Sequence, residues 1–219
     1  MNESAEPDGG ARSMLDRLME VGVGGLVLKP GDHICAFYRG PAGRDEILTP
    51  YIAQGLQDGD KCICFLDVAD RTEVKDRLQA SLPESDRVPG QLEVLDYQET
   101  YLREGRFNQE EWFEFLDRSV SGAISGEGYT VARAAGEMAW ALRNTPGVEE
   151  LCSYEAMVNW FAPRYPQILM CFYDLDRFSG EIVVDVLKTH PKVLLNNMVV
   201  ENPYYMEPAA FLAQQKITV

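Results

Sequence analysis

Short strand-like runs, two of them ("KCICFLD" and "QILMCFYDL") too continuous to leave one side in water, recur along this chain and alternate with longer stretches of helical periodicity. The runs are "HICAFY" (33–38), "KCICFLD" (61–67), "QLEVLDY" (91–97), "YTVARAAGE" (129–137) and "QILMCFYDL" (167–175). A strand apolar on both faces is covered on both faces, the situation in a parallel sheet. Between them, "GRDEILTPYIAQGLQDGD", "ADRTEVKDRLQA", "NQEEWFEFLDRSVSGAIS", "VEELCSYEAMVNWFAPRY" and "SGEIVVDVLKTHP" read as helices. Asn108 and Glu111 have capping-box spacing at the start of the third, and Pro50 should bend the first. The alternation predicts an α/β fold of three layers, a mostly parallel sheet with helices on both faces.

The 219 residues suit one such domain. The expected organisation is a tail and short helix over 1–25, a main domain over 26–212 and a tail over 213–219. The first residues, to about 10, read as disordered. In "ARSMLDRLMEVG", Met14, Leu15, Leu18 and Met19 share a helical face and Gly22 is the stop. The net charge of −15 excludes nucleic acid or an anionic membrane as a partner of the bulk surface. No signal core is present, and no apolar run approaches the ~20 residues of a membrane helix. The five cysteines are odd in number and mostly lie in strand-like runs, so they read as reduced thiols in a cytoplasmic protein.

The first strand runs into "RGPAGRDE", where a nucleotide-binding α/β protein carries its phosphate loop. A working loop, G-x-x-x-x-G-K-[ST], supplies a lysine to the phosphates and a hydroxyl to magnesium. Here Gly40, Pro41, Ala42 and Gly43 give turn geometry, but Arg44, Asp45 and Glu46 follow. Two carboxylates oppose a phosphate, so the loop reads as degenerate and ATPase activity is not expected. Asp45 and Glu46 suit instead the positive N-terminus of the helix.

Alternation along a strand puts His33, Cys35 and Phe37 on one face. His190, the other histidine, stands where a helix stops before Pro191. Both read either as core residues or as polar groups lining a crevice at strand and helix ends. The candidate ligand-binding set is His33, Cys35, Arg133, Glu137, Cys171 and His190. Arg133, taken as a strand end, and Glu137 would form an ion pair at the mouth of the sheet. No cofactor is expected; the alternative is zinc or another metal held by His33, Cys35, Cys62 and Cys64, or a reactive thiol at Cys35 beside His33. Asp174 stands at a strand end, and Tyr204, Tyr205 and Met206 read as a lid or edge covering.

"DHICAFY", "GDKCICFLD", "RAAGEMAW", "CFYDLDRF" and "HPKVLLNN…NPYY" occur here in the order in which they occur in the MEDS family, the methanogen/methylotroph, DcmR-type sensory domains. The chain resembles that family from about Leu26 to Leu212. The resemblance implies a RecA/KaiC-like fold without a working phosphate loop, and a sensory module that recognises a small hydrocarbon derivative through histidine and cysteine. His33, Cys35, Cys171 and His190 match that proposal. It also implies a partner, a histidine-kinase-like protein or a transcription regulator, because the first ~30 residues offer no DNA-binding unit. A homo-oligomer fits equally. A third reading is a ligand-free interaction protein of an anti-sigma-type pathway.

Overall fold

The computed structural model describes residues 16–67, 71–80, 82–196 and 198–215. Its strands are β1 (Met19–Glu20), β2 (Val27–Leu28), β3 (His33–Tyr38), β4 (Lys61–Leu66), β5 (Leu92–Asp96), β6 (Ala132–Glu137), β7 (Gln167–Asp174), β8 (Lys192–Leu195) and β9 (Met198–Glu201). Helices α1 (Gly40–Gln57), α2 (Arg71–Gln79), α3 (Gln109–Ser121), α4 (Leu151–Phe161), α5 (Gly180–Thr189) and α6 (Pro208–Gln215) connect and cover them.

The main sheet has the order β5-β4-β6-β7-β3-β8-β9. Every pairing in it is parallel except β8–β9. The central strands β3, β4, β6 and β7 are buried at every residue, the polar ones at their ends included. One face carries Ile34, Ala36, Cys62, Cys64 and Met170 and packs under α1, α2 and the β1–β2 ribbon. The other carries Cys35, Phe37, Ala134, Cys171 and Tyr173 and packs under α3, α4 and α5, with α6 outside against α4 and α5. Helix α4 buries Leu151, Tyr154, Val158 and Phe161 on this face, each worth about 1.5–3 kcal/mol of transfer free energy.

Several expectations are revised. Met19 is in β1, not in a helix; Met14 and Leu15 lie outside the described residues, as does the stretch to residue 10. Gly22, the expected helix stop, sits at φ +78 beside the β1–β2 ribbon. The strand "YTVARAAGE" begins only at Ala132, so Arg133 is at its start and Glu137 at its end. "GPAG" is the first turn of α1 rather than a separate loop, with Gly40 at φ +61. Asp45 and Glu46 therefore fall in the second turn, too far in to cap the helix. Asn108 does cap α3: its Oδ1 accepts from the Glu111 amide at 3.1 Å, while its Nδ2 donates to Glu111 Oε1 at 3.0 Å.

Candidate functional site

Three buried polar centres flank the sheet, and they divide the residues expected to act together. The first occupies the old phosphate-loop position, at the C-terminal ends of β3, β4, β6 and β7. The Glu137 carboxylate accepts from the Tyr38 hydroxyl at 3.1 Å, Arg44 Nη1 at 3.2 Å and the Asp67 amide at 3.0 Å. Burial and Glu137 push the Tyr38 hydroxyl well above its ordinary pKa. Asp174 Oδ1 accepts from the Gly40 amide at 3.2 Å and the Asp176 amide at 3.0 Å. The N-terminus of α1, where a phosphate would bind, thus already faces a carboxylate. Of the two arginines there, Arg44 is held by Glu137 and by Asp45, 2.9 Å away, and Arg39 pairs with Asp176. An open groove of ≈ 370 Å³ lies alongside, lined by Arg39, Glu46, Leu195 and Asn196 among others. It is the crevice expected at the strand ends, but neither histidine reaches it.

The second centre is at the opposite end of β6. Arg133 is fully buried; its Nε donates to Asp60 Oδ2 and its Nη2 to Asp58 Oδ2, each at 2.7 Å. Burial pushes Asp60 up and Arg133 opposes the shift; the net result is a rise. Arg133 therefore does not pair with Glu137. The two residues lie at opposite ends of one strand and neither joins the histidines.

The third centre lies under α4, on the other face of the sheet. His33, the first residue of β3, places Nε2 3.1 Å from Glu155 Oε2. His190, which ends α5, places its Nε2 3.4 Å from the same oxygen. Cys171 Sγ is 3.4 Å from His33 Nε2 and 3.4 Å from Glu155 Oε2. The Tyr173 hydroxyl donates to Glu155 Oε1. The imidazole rings lie 4.1 Å apart, centroid to centroid. His33, Glu155 and His190 are all at most 1% exposed. Cys35 is adjacent: it pairs with Cys171 across β3 and β7, and its Sγ points to the Lys192 carbonyl at 3.9 Å. Cys62 and Cys64 are on the opposite face, so the fold does not assemble the set His33, Cys35, Cys62 and Cys64.

Electrostatics here is dominated by the absence of water. Burial, then the neighbouring His190, holds His33 below its ordinary pKa, so it is neutral at pH 7. Burial would raise Glu155, but the two imidazoles outweigh it and hold the carboxyl below the usual range. Burial, and then the Glu155 charge, pushes the Cys35 and Cys171 thiols far up. That is the opposite of what a nucleophilic thiol needs. Beside Cys171 lies a void of ≈ 20 Å³ walled by Phe65, Tyr101, Trp112, Leu116 and Tyr154, among others.

Glu155 is absent from the sequence-derived set. Its signal is a charge at position i+4 from Leu151, inside the apolar stripe Leu151, Tyr154, Val158 of a helix. Asn159 and Tyr173, which orient this centre, carry no such signal. Tyr204 is exposed and Tyr205 half-buried; their segment docks on the end of α5, where Asn202 Nδ2 donates to the His190 carbonyl at 2.8 Å.

The methanogen/methylotroph, DcmR sensory domain model matches residues 32–191, from just before the first histidine to just after the second. The chain belongs to the MEDS family. The MEDS chain is 30% identical over 193 residues to the transcriptional repressor DcmR of Methylorubrum extorquens (strain DSM 6343 / CIP 106787 / DM4), covering 86% of itself and 69% of that protein. Its fold is similar to that of a KaiC-like protein from Pyrococcus horikoshii OT3, with a TM-score of 0.54 and 14% identity, over 81% of this chain and 79% of that one. At that identity the likeness concerns fold alone: the MEDS domain is an α/β, RecA/KaiC-like unit. Among the described residues no helix is long and apolar enough to cross a membrane.

Proposed function

We propose that this MEDS chain is a sensory module of transcription regulation that takes up a small hydrocarbon derivative beside Cys171 and passes the signal to a protein partner. One juxtaposition carries the reading: an apolar void ends on the Cys171 thiol, which is part of a buried centre containing both histidines of the chain. Apolar walls with a few convergent polar groups are what small-molecule sites consist of. The family match and the repressor relative support the regulatory role. The internally satisfied phosphate-loop position supports a non-enzymatic, nucleotide-independent module.

The void has room for about one water. A ligand with several heavy atoms therefore binds only a state in which the walls have moved apart. Trp112 and Leu116 come from α3, Tyr154 and Val158 from α4, so occupancy displaces those helices from the sheet. Occupancy then shifts the population toward the expanded state in proportion to the ligand's preference for it.

Trp112 lines the void and gives the readout. Titration with dichloromethane, as a one-carbon halide, is expected to change tryptophan emission saturably. In Gly136→Ala the new Cβ would stand 2.6 Å from the Tyr101 hydroxyl, so that two residues of the void's lining must shift; the saturable change should weaken or disappear while far-UV circular dichroism is retained. A linear, non-saturating response in the wild type would refute the reading.

A further inference from the structure

Both histidines of the buried centre turn the same edge toward it. His33 Nδ1 is 3.2 Å from Asn159 Oδ1. The Asn159 amide is fixed in that sense, because its Nδ2 lies within 3.2 Å of the carbonyl oxygens of Glu155, Ala156 and Thr189. Its Oδ1 can only accept, so the His33 proton is on Nδ1 and Nε2 presents a lone pair. His190 Nδ1 is 2.9 Å from the Val186 carbonyl oxygen. It is also 3.1 Å from Thr189 Oγ1, whose own proton goes to that same carbonyl. Nδ1 is the donor here too. His190 Nε2 is bare, buried and without a hydrogen-bond partner.

The two lone pairs face Glu155 Oε2, itself anionic, and the sulfur of Cys171. These four atoms lie within 4.8 Å of one another. The Cys171 S–H can donate to Glu155 Oε2, 3.4 Å away, but that one proton leaves both imidazole lone pairs unpaired; electron-rich atoms crowded together out of water repel unless a proton or a metal ion lies among them.

We propose that His33 Nε2, His190 Nε2, Glu155 Oε2 and Cys171 Sγ bind one divalent first-row transition metal, with Zn²⁺ the best match. Zinc takes four N, O and S ligands tetrahedrally at about 2.0–2.3 Å, which separates neighbouring ligands by about 3.3–3.8 Å. Four of the six separations, 3.1–3.4 Å, are at or just under that range; the other two lie within 4.8 Å, so binding draws His190 about 1 Å closer to His33 and Cys171. Two neutral imidazoles, a carboxylate and a thiolate cancel the charge of the ion, as a dry site demands. The Cys171 proton leaves to solvent on binding, and the ion stabilises the thiolate that burial alone disfavours. The outer shell is already in place: Asn159 and the Val186 carbonyl hold the two Nδ1–H groups, and Tyr173 holds the remaining Glu155 oxygen. Cys35, turned to the Lys192 carbonyl, is a neighbour and not a ligand.

The metal shares its place with the sensor reading but not its premise, since loading is measured with no organic molecule present. Purified full-length chain should contain about one zinc per chain by plasma mass spectrometry. Refolding from chelator and denaturant with Co²⁺ should give tetrahedral d–d absorption and a thiolate-to-cobalt charge-transfer band. Cys171→Ser should lose the charge-transfer band, and Cys35→Ser should keep it. Asn159→Ala, a change in a positioning residue outside the ligand set, should weaken Co²⁺ binding about 10- to 100-fold. Wild-type chain that contains no transition metal and gives no cobalt absorption on refolding would overturn the proposal, whether or not any variant folds. So would a charge-transfer band that persists in Cys171→Ser.

Discussion

Glu155 is a carboxylate on the dry side of its helix, and four other side chains converge on it. Removing it takes from the Cys171 thiol and the Tyr173 hydroxyl the carboxylate to which they donate, and leaves a gap beside the His33 and His190 edges. Glu155→Ala should therefore cost about 3 kcal/mol or more, as when one member of a buried polar group is deleted. Urea denaturation measures this, and a loss under about 1 kcal/mol would show that the four residues do not act as a unit. The thiols make a second residue-scale prediction. Cys35, Cys62, Cys64 and Cys171 are buried, and burial pushes Cys62 up to about 12. In native buffer a thiol reagent should find at most the half-buried Cys152, and the other four only in denaturant. At this scale the sequence was half legible. Strand alternation placed His33 and Cys35 on one face correctly. It could not tell that Cys62 and Cys64, just as regular, face the other way, because alternation within a strand carries no information about its neighbour's phase.

Among the elements, α1 shows how closely the layers approach. Gly55 lies on its inner side, where a Cβ would come within 2.7 Å of Arg133 Cδ and 2.8 Å of Cys62 Sγ. Gly55→Ala gains helix propensity but overpacks this contact, and the overpacking should win by about 1–3 kcal/mol. A thermal melt decides the sign: a raised midpoint would mean that the helix can ride outward. Asn108→Ala should cost about 1 kcal/mol through loss of the α3 cap. The helices and the long strands were readable from apolar periodicity and cap spacing. The β8–β9 hairpin was not, although "LLNNMVV" holds the signal: Asn196 turns at φ +49, a conformation that asparagine tolerates. The start of β6 was misjudged because "YTV" has strand propensity but belongs to the approach. That three-residue slip had put Arg133 at the wrong end of the sheet.

The whole molecule has a KaiC-like α/β fold in which its own carboxylates, Glu137 and Asp174, take up the donors at the ends of the central strands. ATP with magnesium should give no shift in melting temperature and no saturable heat of binding, since a triphosphate would have to displace the carboxylates of Glu137 and Asp174 from their donors. A shift that rises with ATP concentration would contradict this. Loss of the lysine was plain in the sequence; that Asp174, more than a hundred residues away, takes the vacated amide was not, because topology alone brings it there. This substitution limits the kind of switch the fold can be. A protein that splits ATP can be pushed round a cycle in one direction. On the proposed non-enzymatic reading, a chain whose cradle is filled by its own acids has only the free energy of whatever it binds. On that reading the signal reverses when the ligand leaves, and a swing from 1:99 to 99:1 needs a ligand that prefers one state about 10⁴-fold.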